Sequence, residues 1–210
     1  MNEAVIYNLR SKYLPDHIGN KARNLQSLLE IRNIKVPETW VVPWDVYQDY
    51  ETHEIYSSDQ LDAALHAHLD HSKFYAVRSS SNIEDASFNS YAGLFKSFLN
   101  VQGFKNIRNA IIKIWEATHV EAIQAYLDKL NLSPDNIYMA VILQEMVPPV
   151  YSGVLFSRNP MTGLSETVIE VLPGYGTALV QDGITPERWV SRRGFWVAKP
   201  DEYQVPIPIM

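Results

Sequence analysis

The chain has 210 residues, enough for one large domain or two small lobes around a sizeable core. Hydrophobic residues make up 46% and charged residues 20%, the balance of a globular protein, and a net charge of −6 excludes a polyanion-binding surface spread over the whole chain. The lack of cysteine excludes a disulfide scaffold, a thiolate metal site and a cysteine nucleophile, and it fits a reducing compartment.

The N-terminus lacks the apolar core of a signal peptide, and no apolar run reaches the ~20 residues that span a bilayer. The expectation is a cytoplasmic protein that binds neither membrane nor nucleic acid. Residues 1–18 show no clear period. From Gly19 to Leu29, Asn20 has the side chain of an N-cap, and Ala22, Leu25, Leu28 and Leu29 fall on one helical face. Lys21 then sits in the first turn of a helix, where a cation opposes the helix dipole unless an anion binds there with it. A solvated lysine is the alternative.

Val36 to Pro43 reads as a short strand bracketed by prolines, and Trp44 to Tyr50 as a short helix. Ser57-Ser58-Asp59 caps another helix, with Leu61, Ala64, Leu65 and Leu69 inward. His66, His68 and His71 follow, and His68 and His71 share a face. No carboxylate stands at a ligand spacing, so exposed imidazoles are the plainer reading than a metal site.

The stretch from Tyr75 to Val101 organises the chain. A short strand, Tyr75-Ala76-Val77, delivers Arg78 into Ser79, Ser80 and Ser81, followed by Glu84-Asp85, a bend at Ala92-Gly93 and a second strand from Leu94. An arginine fork beside hydroxyls and turn amides is an arrangement for holding phosphate. An ordinary hairpin with a surface arginine is the alternative. Gly103 breaks the strand, and a long helix runs from about Asn106 to Leu130, with Ile107, Ile111, Ile114, Trp115, Ala122, Tyr126 and Leu130 on its apolar stripe. Tyr138 to Leu143 is a buried strand that ends in Gln144-Glu145-Met146-Val147, where backbone groups could meet a flat ring. Strands follow at Tyr151 to Phe156, Thr167 to Leu172 and Arg188 to Ser191, with a turn at Gly174-Tyr175-Gly176. Glu170 lies on the face opposite Ile169, and a glutamate in an apolar strand has to be paired or functional.

These motifs together resemble the N-terminal nucleotide-binding domain of phosphoenolpyruvate synthase and pyruvate phosphate dikinase, a domain that rifampicin phosphotransferase and glucan water dikinases use in similar form. The matching residues run in the family's order over about 19–190: Gly19-Asn20-Lys21-Ala22, Val36-Pro37, Ala76 to Ser80 with Glu84-Asp85, Ala92-Gly93, Gln144 to Val147, Ser152 to Pro160, Glu170 with Gly174 to Gly176, and Thr185-Pro186. The resemblance implies an α+β, ATP-grasp-like fold with two lobes around a nucleotide cleft. The approximate lobes would be 1–72 and 73–200 of a single domain, with 201–210 as an extended tail. It also implies that Lys21 and Arg78, with Ser79, contact the phosphates of ATP, that Gln144, Glu145, Met146 and Val147 line the nucleoside pocket, and that Glu170 helps to place Mg2+ or ribose. The family passes a phosphoryl group from ATP to a histidine on another domain, and from there to pyruvate or another acceptor.

Three positions depart from the family's pattern: Asn20 replaces a second glycine, Thr177 replaces a glutamate, and Asn159 stands where aspartate is frequent. The family's acidic Mg2+ ligands and a Gln-x-Arg strand have no equivalent after Arg188. A truncated copy is therefore expected, and a degenerate, non-catalytic nucleotide- or partner-binding module is the alternative function.

Overall fold

The computed structural model describes residues 4–52, 54–83, 96–117, 138–176, 185–202 and 204–205. They form two antiparallel sheets and four helices, the mixed α and β organisation that the resemblance implies. The chain divides into two compact units, Met1–Met146 and Val147–Met210. The division falls at 146/147 and not at the expected 72/73, because one sheet draws strands from both sides of residue 72.

That sheet has the order β1 (Tyr7–Asn8), β2 (Thr39–Val42), β5 (Met139–Glu145), β3 (Phe74–Ser81), β4 (Ser97–Gln102). Its three central strands are runs of buried side chains, as a sheet covered on both faces requires. Alternation sends Trp40, Val42, Tyr75, Val77, Val141 and Leu143 to one face. There they pack against α2 (Trp44–Thr52), α3 (Glu54–His68) and α4 (Phe104–Glu116) through Tyr47, Leu61, Leu65, Ile107, Ile111 and Trp115. The other face, with Val41, Ala140 and Ile142, is covered by Ala22 of α1 (Gly19–Leu29) together with Leu9 and Ile18.

The second unit is a four-stranded meander in the order β6 (Tyr151–Phe156), β7 (Thr167–Pro173), β8 (Glu187–Arg192), β9 (Phe195–Ala198). Val171, Trp189 and Val205 form its core with Ile169 and Trp196, and the two indoles meet edge-on at 5.3 Å.

Several expectations are corrected at the ends of elements. Asn20 does not cap α1; the helix begins at Gly19 behind Ile18, which supplies no side-chain cap. Ser57 to Asp59 lie inside α3, which begins at Glu54. Ser79, Ser80 and Ser81 are not a loop but the last three residues of β3, paired with Val141, Ala140 and Met139. Residues 204 and 205 are anchored, since the amides of Gln204 and Val205 donate to the Glu187 carboxylate at 2.5 and 3.3 Å. Glu84-Asp85, Ala92-Gly93, Thr177 and the second half of the expected long helix lie outside the described residues.

Candidate functional site

The N-terminus of α1 is seated on the backbone of β3. Gly19 has φ +75°, and a Cβ there would lie 2.1 Å from the Ser80 carbonyl oxygen, so no larger residue allows this approach. The Ser80 hydroxyl, fully buried, donates to the Ile18 carbonyl at 2.8 Å and accepts the Ala22 N–H at 3.0 Å. A strand serine thus satisfies an open amide of the first helical turn, which the helix's own cap leaves unmet. Asn20 spends its side-chain amide on the Asn82 carbonyl at 2.9 Å. Lys21 Nζ donates to the Ser79 carbonyl at 3.0 Å.

Strand alternation sorts the candidate residues by face. Ser80 meets α1, so Arg78 and Ala76 face the same way. On β5, Ile142 stands opposite Arg78 and Gln144 opposite Ala76. Lys21, Arg78 and Gln144 therefore share the α1 face. Arg78 is half-buried, and its guanidinium has no partner among the described residues.

Ser79 and Glu145 belong to the opposite face, away from Arg78. Ser79 is 1% exposed, and its Oγ is buried with no hydrogen-bond partner among the described residues. Glu145 is held at 2.6 Å by Lys73 Nζ, and this hydrogen bond raises the lysine's pKa above its ordinary value. Beside it, burial raises the pKa of Tyr75, whose hydroxyl accepts the Asp70 N–H at 2.9 Å. Hydrogen bonds from Ser72 hold Asp70 below the usual carboxylate range.

At the end of β5, the Glu145 and Met146 amides donate to the carbonyls of Glu38 and Phe74 at 2.9 and 2.8 Å. Both N–H groups are therefore used within the sheet. Val147, the first residue of the second unit, is 56% exposed. Gln144 Nε2 donates to Thr39 Oγ1 at 3.0 Å, and Thr39 Oγ1 donates to the Pro37 carbonyl at 2.7 Å.

In the second unit, Glu170 stands directly opposite Arg188 across β7 and β8, with Oε1 3.8 Å from its Nε. The pairing answers part of the cost of a carboxylate in an apolar strand. No group of three His, Asp or Glu side chains suited to a metal occurs among the described residues. His66 and His71 lie against the Phe104 ring, at 3.8 and 6.1 Å between centroids.

Sequence reasoning missed Glu166, which is 7% exposed. It accepts from Asn159 Nδ2 at 2.8 Å and from Arg192, and these bonds, Asn159 first, lower its pKa. Asn159 Oδ1 in turn accepts the amides of Met161 and Thr162 at 3.0 and 3.4 Å. An aspartate at 159 would lack the donor that Glu166 uses, so Asn159 fits this loop. Only the pairing of Thr167 with Ser191 brings Arg192 alongside Glu166, and that register is invisible in the sequence.

Lysine at a helix N-terminus and arginine on the adjoining strand are side chains of the kind that attract anions. The profile of the family described as pyruvate phosphate dikinase, AMP/ATP-binding domain, matches residues 52–201, and the chain belongs to that family. The matched range includes Arg78, Gln144 to Val147 and Glu170, and begins after Lys21.

Among curated proteins, the chain is 36% identical over 116 residues to the phosphoenolpyruvate synthase of Aeropyrum pernix, covering 55% of this chain and 14% of that protein. It is 30% identical over 221 residues to the rifampicin phosphotransferase of Streptomyces sviceus, covering 87% of this chain and 25% of that protein. It is 32% identical over 120 residues to the probable phosphoenolpyruvate synthase of Methanothermobacter thermautotrophicus, covering 57% of this chain and 18% of that protein. The chain thus spans between 14% and 25% of the length of these relatives. No described helix is long and apolar enough to cross a membrane.

Proposed function

We propose that this chain is the ATP-binding part of a phosphotransferase of the phosphoenolpyruvate synthase and dikinase kind, which passes a phosphoryl group from ATP to a histidine on another domain or subunit. The observation that carries this reading is the placement of Lys21 and Arg78 on one face of one sheet, with the lysine's ammonium on the carbonyl of the residue after Arg78. Phosphoryl transfer is mostly positioning and charge neutralisation. Arg78 would offer its fork to the phosphate oxygens, and Lys21 would exchange the Ser79 carbonyl for phosphate beside the positive end of α1. Gln144 would meet the nucleoside on this face, with Met146 and Val147 as apolar walls, whereas the Glu145 side chain, held by Lys73 on the other face, would not. Mg2+ is commonly held by one or two carboxylates together with the substrate's phosphates, and Glu170 is the carboxylate for that role. Mg2+ would spread the charge of the triphosphate. The acceptor, whether pyruvate, a glucan or an antibiotic, would be chosen by other domains.

Calorimetric titration with MgATP tests this. The parent chain binds ATP weakly, and Arg78→Ala abolishes binding while its circular dichroism and thermal unfolding match the parent. Equal affinity in the two proteins refutes the assignment.

A further inference from the structure

We infer that Thr39 sets the base preference of this site by holding the Gln144 amide one way round, so that its carbonyl meets the exocyclic amino group of an adenine. The inference rests on the proposed nucleotide site and concerns how that site tells one purine from another.

The argument is a count of protons. A threonine hydroxyl carries one hydrogen. Thr39 is 3% exposed, and its hydroxyl donates to the Pro37 carbonyl at 2.7 Å, an oxygen that can only accept. With that hydrogen spent, Thr39 Oγ1 can only accept from Gln144, which stands opposite it in the β2–β5 register. The group 3.0 Å away is therefore the NH2 of Gln144, and the amide's two ends are not interchangeable. Gln144 Oε1 is left as a fixed acceptor on the α1 face. Arg78 stands diagonally from Gln144 on the neighbouring strand, a separation of about 7–8 Å between backbones. A purine nucleotide with its phosphates at Arg78 has its base within reach of that acceptor.

Adenine presents an amino donor at position 6, whereas hypoxanthine and guanine present a carbonyl acceptor there. Two acceptors facing one another lose the hydrogen bond and strand both oxygens. The nearest backbone N–H donors and the adjacent carboxylate do not compete with Gln144 for the base. The Glu145 and Met146 amides are spent on Glu38 and Phe74, and the Glu145 side chain lies on the other face with Lys73.

The test measures ATP and ITP dissociation constants by calorimetry on the full chain, the parent alongside Thr39→Val, Thr39→Ser and Gln144→Leu. The parent prefers ATP by about tenfold or more, the range expected when a site built to pair a polar group meets one of the wrong sense. Thr39→Val frees the amide to turn over, and the preference falls to within about threefold. Thr39→Ser retains the hydroxyl and the preference. Gln144→Leu removes the acceptor and loses the preference, which keeps the idea testable if Thr39→Val fails to fold. A purely structural role for Thr39 would weaken both nucleotides in parallel and leave their ratio unchanged; that outcome overturns the inference. ATP binding by the parent with no preference over ITP also overturns it, while the proposed function survives. No ATP binding by the parent removes both.

Discussion

Gly19→Ala separates the two demands that the seat of α1 places on its first residue. The first is conformational: at φ +75° a side chain costs about 1–2 kcal/mol. The second is space. The new methyl carbon would lie 2.1 Å from the Ser80 oxygen and 2.4 Å from its carbonyl carbon, and both are backbone atoms of a strand paired on each side. The helix has to lift, which strains the hydroxyl bridge from Ser80 to Ile18 and Ala22 and adds about 1–3 kcal/mol of overpacking. The sum is about 2–5 kcal/mol, a fall in unfolding temperature of about 4–20 °C for a unit of this size. Gly103→Ala is the matched control in the same unit. Its φ of +83° and ψ of 140° lie in a region nearly reserved for glycine, yet an added Cβ would meet nothing within 4 Å, so only a conformational cost of about 1–3 kcal/mol applies. Lys21 rides on the turn that lifts, so MgATP affinity also falls in Gly19→Ala and not in Gly103→Ala. Scanning calorimetry and urea titration measure the difference. A loss in Gly19→Ala of under about 1 kcal/mol, with MgATP affinity unchanged, would show that the close approach to Ser80 does not exist.

Two further outcomes are expected. Ser80→Ala leaves the buried Ile18 carbonyl and Ala22 amide unmet and costs about 2–4 kcal/mol by urea unfolding; a loss under about 0.5 kcal/mol refutes the bridge. The Glu166 carboxyl titrates below the ordinary glutamate value of about 4.3, because Asn159 and Arg192 favour its charged form. A carboxyl lowered in this way stabilises the folded state fully above its unfolded pKa, and the stabilisation fades as pH falls through the lower folded value. Amide exchange at Met161 and Thr162 should therefore be slow at neutral pH and accelerate, beyond the intrinsic pH trend, only as the pH falls through the lowered Glu166 pKa. An NMR titration midpoint for Glu166 at or above 4.3 contradicts this.

Apolar runs and proline brackets were readable in the sequence because hydrophobic periodicity reports burial directly. The Val36–Pro43 segment, the stripe Ile107, Ile111, Ile114 and Trp115, and the run from Met139 to Leu143 all lie where their pattern places them. The serines were misread for a physical reason. Three consecutive hydroxyls have the composition of a turn, but β5 supplies a backbone ladder for them and α1 supplies donors and acceptors for Ser80, so tertiary context overrides local preference. Asn20 was misread in the same way, since its amide finds Asn82 across 62 positions. The two-residue strand β1 is too short to show a period, and β9 follows β8 through a two-residue turn at Arg193-Gly194 whose alternating Phe195, Trp196 and Val197 could have been recognised. The facing of Lys21 and Arg78 was not legible, because it depends on which side of β3 receives α1.

The last two residues of β5 make the parity of a count matter chemically. Gln144 is uncharged and turned towards Arg78; Glu145, one place along, carries a negative charge turned towards the helices. Deleting or inserting a single residue within β5 would exchange them. A carboxylate would then stand diagonally from the guanidinium and draw it off as an internal ion pair, while Lys73 lost its counter-charge. Changes of length in the surface loops leave the polarity of this face as it is, but one residue more or less here would set a negative charge against the proposed phosphate site.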